Sequence, residues 1–196
     1  MPHTLGAMIA GTGSCLPEKR LTNEDLAKLV DTNDEWIMQR VGIRERHIVG
    51  PGIATSDLAK EASRKAIENA GLTPKDIDFI LVATTTPDTL FPSTACVLQD
   101  KIGASHAWGF DLMAACSGFT YGVTTAAQLV ASGASRHALV VGADVMSSII
   151  DYTDRTTCVL FGDGAGAVVL EASDDQNVVI IDFENYVDGS GGPALC

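Results

Sequence analysis

The sequence is short of positive charge: 13 lysines and arginines stand against 25 aspartates and glutamates, a formal net charge of −12 over 196 residues. A field of that sign repels phosphate backbones and anionic lipid heads, which argues against nucleic-acid binding and against a membrane-surface role. It also disfavours anionic thioester substrates at long range, so such a ligand needs a local basic site to offset it. Arg40, Arg44, Arg46 and Arg155 are the candidates. Long apolar runs are missing as well. Nothing approaches the ~20 residues of a membrane span, and the opening MPHTLGAMIAGTG has no basic region ahead of an apolar stretch, so a cytoplasmic protein is expected. The five cysteines, Cys15, Cys96, Cys116, Cys158 and Cys196, are odd in number and never form a C-x-x-C pair, so neither a disulfide framework nor a metal site is indicated. No Pro-, Gly- or Ser-rich linker, short-period repeat or low-complexity tract divides the chain, and a single domain over 1–196 is the economical reading.

What is present describes a folded α/β protein. The composition is 46% hydrophobic and 19% charged, with 19 glycines to serve tight backbone sites. Apolar, β-rich runs at Ala7 to Ala10, Phe79 to Ala83, Ala138 to Val141, Ala165 to Leu170 and Val178 to Ile181 predict strands buried on both faces. Between them, helical patterns run from Asn23 to Leu29 after the capping residue Thr22, from Ser56 to Ala70 before Gly71, and from Gly118 to Ser132 before Gly133. Strands separated by helices of this length imply crossover connections and a largely parallel sheet covered by helices. The closing DGSGGPALC is a glycine-rich turn with no element after it, so the chain reads as cut short.

The chemistry-bearing segment is DLMAACSGFTYG, which places Cys116 where an extended apolar run turns into a helix of small residues. A thiol there meets the positive end of a helix and free backbone N–H groups, which favour its thiolate and can stabilise an oxyanion. The alternative is a buried structural cysteine, and this segment alone leaves both open. FGDGAGAVVL fails as a dinucleotide or phosphate loop, because no helix and no Lys-Ser or Lys-Thr follows it; close backbone packing beside Cys116 is the better reading. DEWIMQRVGIRERH gathers one indole and three arginines, enough to stack a purine and neutralise phosphates, although a solvated amphipathic face fits it too. His3, His47, His106 and His137 all lack the setting of a general base.

Taken together, GTGSCLPE, TNDEWIMQRVGIRERHI, ATTTPDTLFPSTA, AACSGFTYG, ALVVGADVMS and LFGDGAGAVVL resemble β-ketoacyl-acyl carrier protein synthase III across essentially the whole chain. TNDEWI and GIRERH set this resemblance apart from thiolases and elongating condensing enzymes. The resemblance implies a thiolase-like α/β fold, with 1–196 as the N-terminal half of a duplicated βαβαβαββ architecture whose mixed, mostly parallel sheet is covered by helices. Cys116 matches the family's acyl-accepting nucleophile, its backbone N–H contributing to the oxyanion hole. Trp36 and Arg155 match the pair that sandwiches the adenine of coenzyme A, with Thr32 and Arg40 as neighbouring contacts. Met146 and Phe161 match the lining of the primer pocket, and Phe91 matches a residue that reaches into a partner subunit's pocket, so a homodimer is implied.

The reaction so implied is acetyl transfer from acetyl-coenzyme A to cysteine, then decarboxylative condensation with malonyl-acyl carrier protein to acetoacetyl-acyl carrier protein. No cofactor is implied, since acetyl-coenzyme A is a substrate. In the family, the second step uses a histidine and an asparagine of the C-terminal half. Two alternatives remain: a truncated homologue that binds acyl-coenzyme A or a synthase partner without condensing, and a related synthase that starts from another primer.

Overall fold

The computed structural model describes residues 6–194. In chain order the elements are β1 (Gly6–Cys15), β2 (Lys19–Thr22), α1 (Asn23–Leu26), α2 (Asp34–Arg40), β3 (Glu45–Ile48), α3 (Thr55–Asn69), β4 (Phe79–Ala83), α4 (Thr94–Ile102), β5 (Trp108–Leu112), α5 (Gly118–Ala131), β6 (His137–Val145), α6 (Arg155–Cys158) and β7 (Asp163–Ser173). Five strands form one sheet in the order β1-β7-β6-β4-β5. The pairs β6–β4 and β4–β5 are parallel, whereas β7 is antiparallel to both β1 and β6. Four strands therefore share one direction and β7 alone is reversed. The run β1-α3-β4-α4-β5-α5-β6-β7 is the expected βαβαβαββ order.

β4 shows why the sheet is central. Its FILVA is buried at every position, and alternate side chains enter different cores. Ile80 and Val82 pack with Leu58 and Ala62 of α3 and Leu98 of α4. Phe79, Leu81 and Ala83 pack with Ala126 and Val130 of α5. Both large helices end where glycine takes the left-handed backbone that other residues avoid, at Gly71 (φ 71°) after α3 and Gly133 (φ 77°) after α5. α3 approaches β1 backbone to backbone, since a Cβ on Gly11 or Gly13 would lie 2.3 or 2.2 Å from a carbonyl oxygen of the helix. From that position Asn69 and Lys65 donate to the carbonyls of Thr12 and Ser14, each at 2.8 Å.

A second, smaller core holds Leu26, Ile37, Cys158 and Val159, beneath α1, α2, α6 and the two-stranded antiparallel sheet of β2 and β3. Thr22 caps α1 and Asn33 caps α2, each accepting a backbone N–H in the first turn. Arg46 on β3 is only 3% exposed and donates to the Asn23 side chain and the Val159 carbonyl, tying the small sheet to α1 and to the turn after α6.

Several expectations need correction. Arg46 is an internal tie and presents no charge to an anion. Val178 to Ile181 forms no strand: it contributes one bridge, Met8 to Val179, and one bond from the Ile180 N–H to the Ala7 carbonyl at 2.8 Å. The first helical pattern stops at Leu26, short of Leu29. β2, β3 and α4 were not anticipated, and the strand expected at Ala7 to Ala10 continues to Cys15.

Candidate active site

Cys116 sits where β5 hands the chain to α5. The Asp111 carboxyl near the end of β5 accepts the Thr94 and Ala95 N–H groups, both at 2.7 Å, and so fixes that strand end to the start of α4. Three residues past the strand, Ala115 takes φ 45°, the single positive φ outside glycine among the described residues. Such a backbone is costly for a residue with a side chain and persists only where its surroundings hold it. A 3-10 turn over Ala115–Ser117 follows, then α5 begins at Gly118, whose missing Cβ would stand 3.2 Å from that of Ala83. Ser117 supplies no side-chain cap. The exposed Cys116 thiol thus lies at the positive end of a 14-residue helix whose first N–H groups have no capping side chain.

The thiol opens on a cavity of about 430 Å³. Its walls are Ala83 at the end of β4, Phe119 on α5, Asp144 and Met146 at the end of β6, and Gly162 and Gly164 leading into β7. The glycines let neighbouring elements close in around this space. A Cβ on Gly142 would lie 3.2 Å from the Phe119 ring, and one on Gly162 would lie 3.0 Å from the His47 carbonyl. Between the cavity glycines, Asp163 is turned away and buried, accepting from the Val49 N–H (2.8 Å), the Ser147 N–H (2.8 Å) and the Ser147 hydroxyl (2.7 Å). The FGDGAG segment therefore provides close backbone packing beside Cys116. Cavities of about 580 and 640 Å³ elsewhere border α3 and contain no cysteine.

The residues expected to contact a nucleotide come together above the smaller core. The Arg155 guanidinium stands 5.0 Å from the centre of the Trp36 ring and that of Arg40 stands 6.0 Å from it. Arg155 also donates to the Asp31 carbonyl at 2.9 Å. The Thr32 hydroxyl is buried and has no hydrogen-bond partner among the described residues. α6 carries Arg155 at its start; Val159 just beyond its end enters the smaller core and Gly162 enters the cavity wall, so a few residues connect the two sites. Met146 lines the cavity; Phe161 adjoins it through Gly162 and is partly exposed; Phe91 lies out on the loop before α4, 85% exposed. Arg44 is exposed.

None of the described histidines lines the cavity. His47 meets the Pro17 carbonyl through Nδ1, and His137 meets the Asp76 carbonyl at 2.9 Å. His3 and Cys196 lie outside the described residues. Burial pushes the Cys15 and Cys158 thiols up, which keeps both in their unreactive form. Asp144 and Phe119 were not anticipated. Three consecutive threonines after a buried strand were the available signal for Asp144, because their hydroxyls need an acceptor.

The chain is also similar to known proteins in sequence and in fold. Residues 110–189 match the family described as 3-oxoacyl-[acyl-carrier-protein (ACP)] synthase III. The chain is 59% identical over 191 residues to the β-ketoacyl-[acyl-carrier-protein] synthase III of Solibacter usitatus, covering 96% of this chain and 58% of that protein. It is 57% identical over 190 residues to the protein of that name from Xylella fastidiosa, covering 97% and 58%. Its fold superposes on the 3-oxoacyl-(acyl carrier protein) synthase III of Pseudomonas aeruginosa with a TM-score of 0.89 at 42% identity, over 94% of this chain and 58% of that one. The priming β-ketosynthase of the R1128 polyketide pathway gives 0.85 at 40% identity, over 89% and 52%. The fold is thus the thiolase-like α/β fold of these enzymes, and the chain spans a little over half the length of the relatives it matches.

Proposed function

We propose that this chain, which belongs to the β-ketoacyl-[acyl-carrier-protein] synthase III family, accepts an acyl group from an acyl-coenzyme A on Cys116 to start fatty acid synthesis. One observation carries the reading: a thiol at an uncapped helix N-terminus opens on a cavity whose wall residue Gly162 follows α6, the helix that carries Arg155 of the Trp36–Arg155 cluster. The Cys116 thiolate attacks the thioester carbonyl of acetyl-coenzyme A, and the oxygen takes up negative charge beside the helix N-terminus, where the Cys116 N–H is a donor. Collapse of that intermediate expels the coenzyme A thiolate and leaves acetyl-Cys116. Trp36 and Arg155 hold the adenine, with Thr32 and Arg40 beside it. These cations supply the local positive field that an anionic ligand needs against a net charge of −12.

The second step is condensation with malonyl-acyl carrier protein. Loss of carbon dioxide generates an enolate, which attacks the acetyl carbonyl and returns the thiolate, giving acetoacetyl-acyl carrier protein. Its histidine and asparagine belong to the part of the family's length that this chain does not span. Met146, Phe161 and the Phe91 of a second copy shape the primer site. Self-association is supported by Leu90 and Phe91, 93% and 85% exposed, and by Trp108 and Phe110 on β5 at the edge of the sheet. No described helix is long and apolar enough to cross a membrane, and the reading places the reaction in the cytoplasm. The likeness to a polyketide priming enzyme favours a different primer as the second reading.

Incubation with radiolabelled acetyl-coenzyme A, followed by mapping of the thioester, tests the proposal against the Cys116→Ala variant. Label confined to Cys116 and lost in the variant is the expected result. A folded wild-type chain that takes no label, or takes it elsewhere, would sink the reading.

A further inference from the structure

Asp144 has no part in the mechanism above, yet its placement beside Cys116 is specific. It lies one residue before the end of β6 and is among the residues that line the cavity. A single carboxyl oxygen, Oδ1, accepts five hydrogen bonds from three consecutive residues. These come from the Thr84 hydroxyl (3.0 Å), the Thr85 N–H (2.7 Å) and hydroxyl (2.9 Å), and the Thr86 N–H (3.1 Å) and hydroxyl (3.0 Å). The Thr86 hydroxyl also accepts the Val145 N–H at 2.8 Å, which closes the link back onto β6.

The two segments so joined are neighbouring parts of the cavity wall: β4 and β6 pair in parallel with Ala83 beside Gly142, and the cluster carries that tie past the strand ends. Ala83, directly before the threonines, lines it from β4; Met146, two residues after Asp144, lines it from β6. The Thr85 hydroxyl stands 3.8 Å from the Met146 sulfur, so the same cluster that binds Asp144 also backs the Met146 side chain. Methionine is unbranched and flexible, and its position in a wall depends on what holds it from behind. We infer that Asp144 is a positioning residue that sets how far an acyl chain can extend from Cys116, by fixing Ala83 and Met146 relative to one another. This deepens the proposed function and rests on Cys116 as the acyl acceptor. When the cluster is weakened, Met146 gains freedom and the wall yields to longer chains.

The test uses two variants that preserve shape. Asp144→Asn keeps an acceptor oxygen and the side-chain volume while weakening all five bonds; Thr85→Val removes one hydroxyl from the cluster. Each folded protein is treated with N-ethylmaleimide and, separately, N-hexylmaleimide, and adducts are quantified by peptide mass spectrometry. Exposed Cys96 serves as the internal reference for the reagents' own reactivity. The expected result is a rise of at least threefold in the hexyl-to-ethyl ratio at Cys116 in Asp144→Asn, with a smaller rise in Thr85→Val and no change at Cys96. An unchanged ratio, or equal loss of both adducts as a merely structural role would give, overturns the inference. Should Asp144→Asn lose cooperative unfolding, Thr85→Val decides alone. The maleimide ratio does not depend on acyl transfer, so absence of acetyl label with a raised ratio counts against the proposed reaction and leaves the wall intact; label with an unchanged ratio does the reverse.

Discussion

Replacing Trp36 by alanine puts the adenine reading to a quantitative test. Without ligand, the Arg155 guanidinium rests 5.0 Å from the centre of the indole. A ring inserted between them needs two stacking gaps of about 3.5–4 Å each, about 7–8 Å in all. Arg155 must therefore withdraw by about 2–3 Å, giving up a cation–π contact worth about 0.5–1 kcal/mol at an exposed site. Base stacking on an aromatic side chain contributes about 1–3 kcal/mol. Trp36→Ala loses that stacking but no longer has to open the contact, so the net loss is about 0.5–2 kcal/mol, or roughly 2- to 30-fold in Kd. Titration calorimetry with coenzyme A measures it, and pantetheine, which lacks the adenine, serves as the control. Affinity for coenzyme A should fall within that range while pantetheine binding stays unchanged. Equal losses for both ligands, or no measurable binding of coenzyme A by the wild-type chain, would refute the stacking argument.

Two further predictions concern the scaffold. Gly122→Val puts a branched side chain where even a Cβ would lie 2.8 Å from the buried Leu81 and 3.1 Å from Val140, so α5 must lift from the sheet. The expected cost is about 1–3 kcal/mol, read as a lower urea midpoint, whereas Gly166→Ala, with nothing within 4 Å of the added carbon, should stay within about 0.5 kcal/mol. The second is a pH dependence at Asp25, whose carboxyl is lowered to about 2 by hydrogen bonds from Lys28 and Thr22. A depressed folded pKa means its contribution is complete above the unfolded value of about 3.9 and is lost as pH falls towards 2. Stability of Asp25→Asn should therefore fall less steeply between pH 4 and pH 2, and an unchanged slope would show that the cap is energetically silent.

Much of this arrangement was legible because burial and chemistry coincide in the sequence. FILVA at 79–83 can only be a strand with both faces covered, and Gly71 and Gly133 mark the two helix ends they terminate. Cys116 could be placed from its apolar approach and small successors. The pairing of β2 with β3 could not, since KRLT and ERHI show no apolar alternation and are held largely by contacts distant in sequence, Arg46 to Val159 among them. The same fact explains why Arg46 was taken for an anion ligand: a guanidinium serving two distant acceptors looks, in sequence, like any other exposed arginine. Val178 to Ile181 has strand composition but only one bridge to Met8, and a strand needs a partner more than it needs branched residues.

The two ends of the sheet are not equivalent. At β1, α3 lies across the strand, and Asn69 and Lys65 already occupy the carbonyls of Thr12 and Ser14 that another strand would use. At β5 nothing comparable covers the far end of the order among the described residues, and Trp108 on that strand remains 53% exposed. A block with two open sides stacks without limit, whereas one with a single open side can only close against its own kind and stop. Asn69 and Lys65, with the Ile180 N–H on the Ala7 carbonyl, thus leave β1 few free acceptors, so a second strand adding to this sheet would meet its open side at β5.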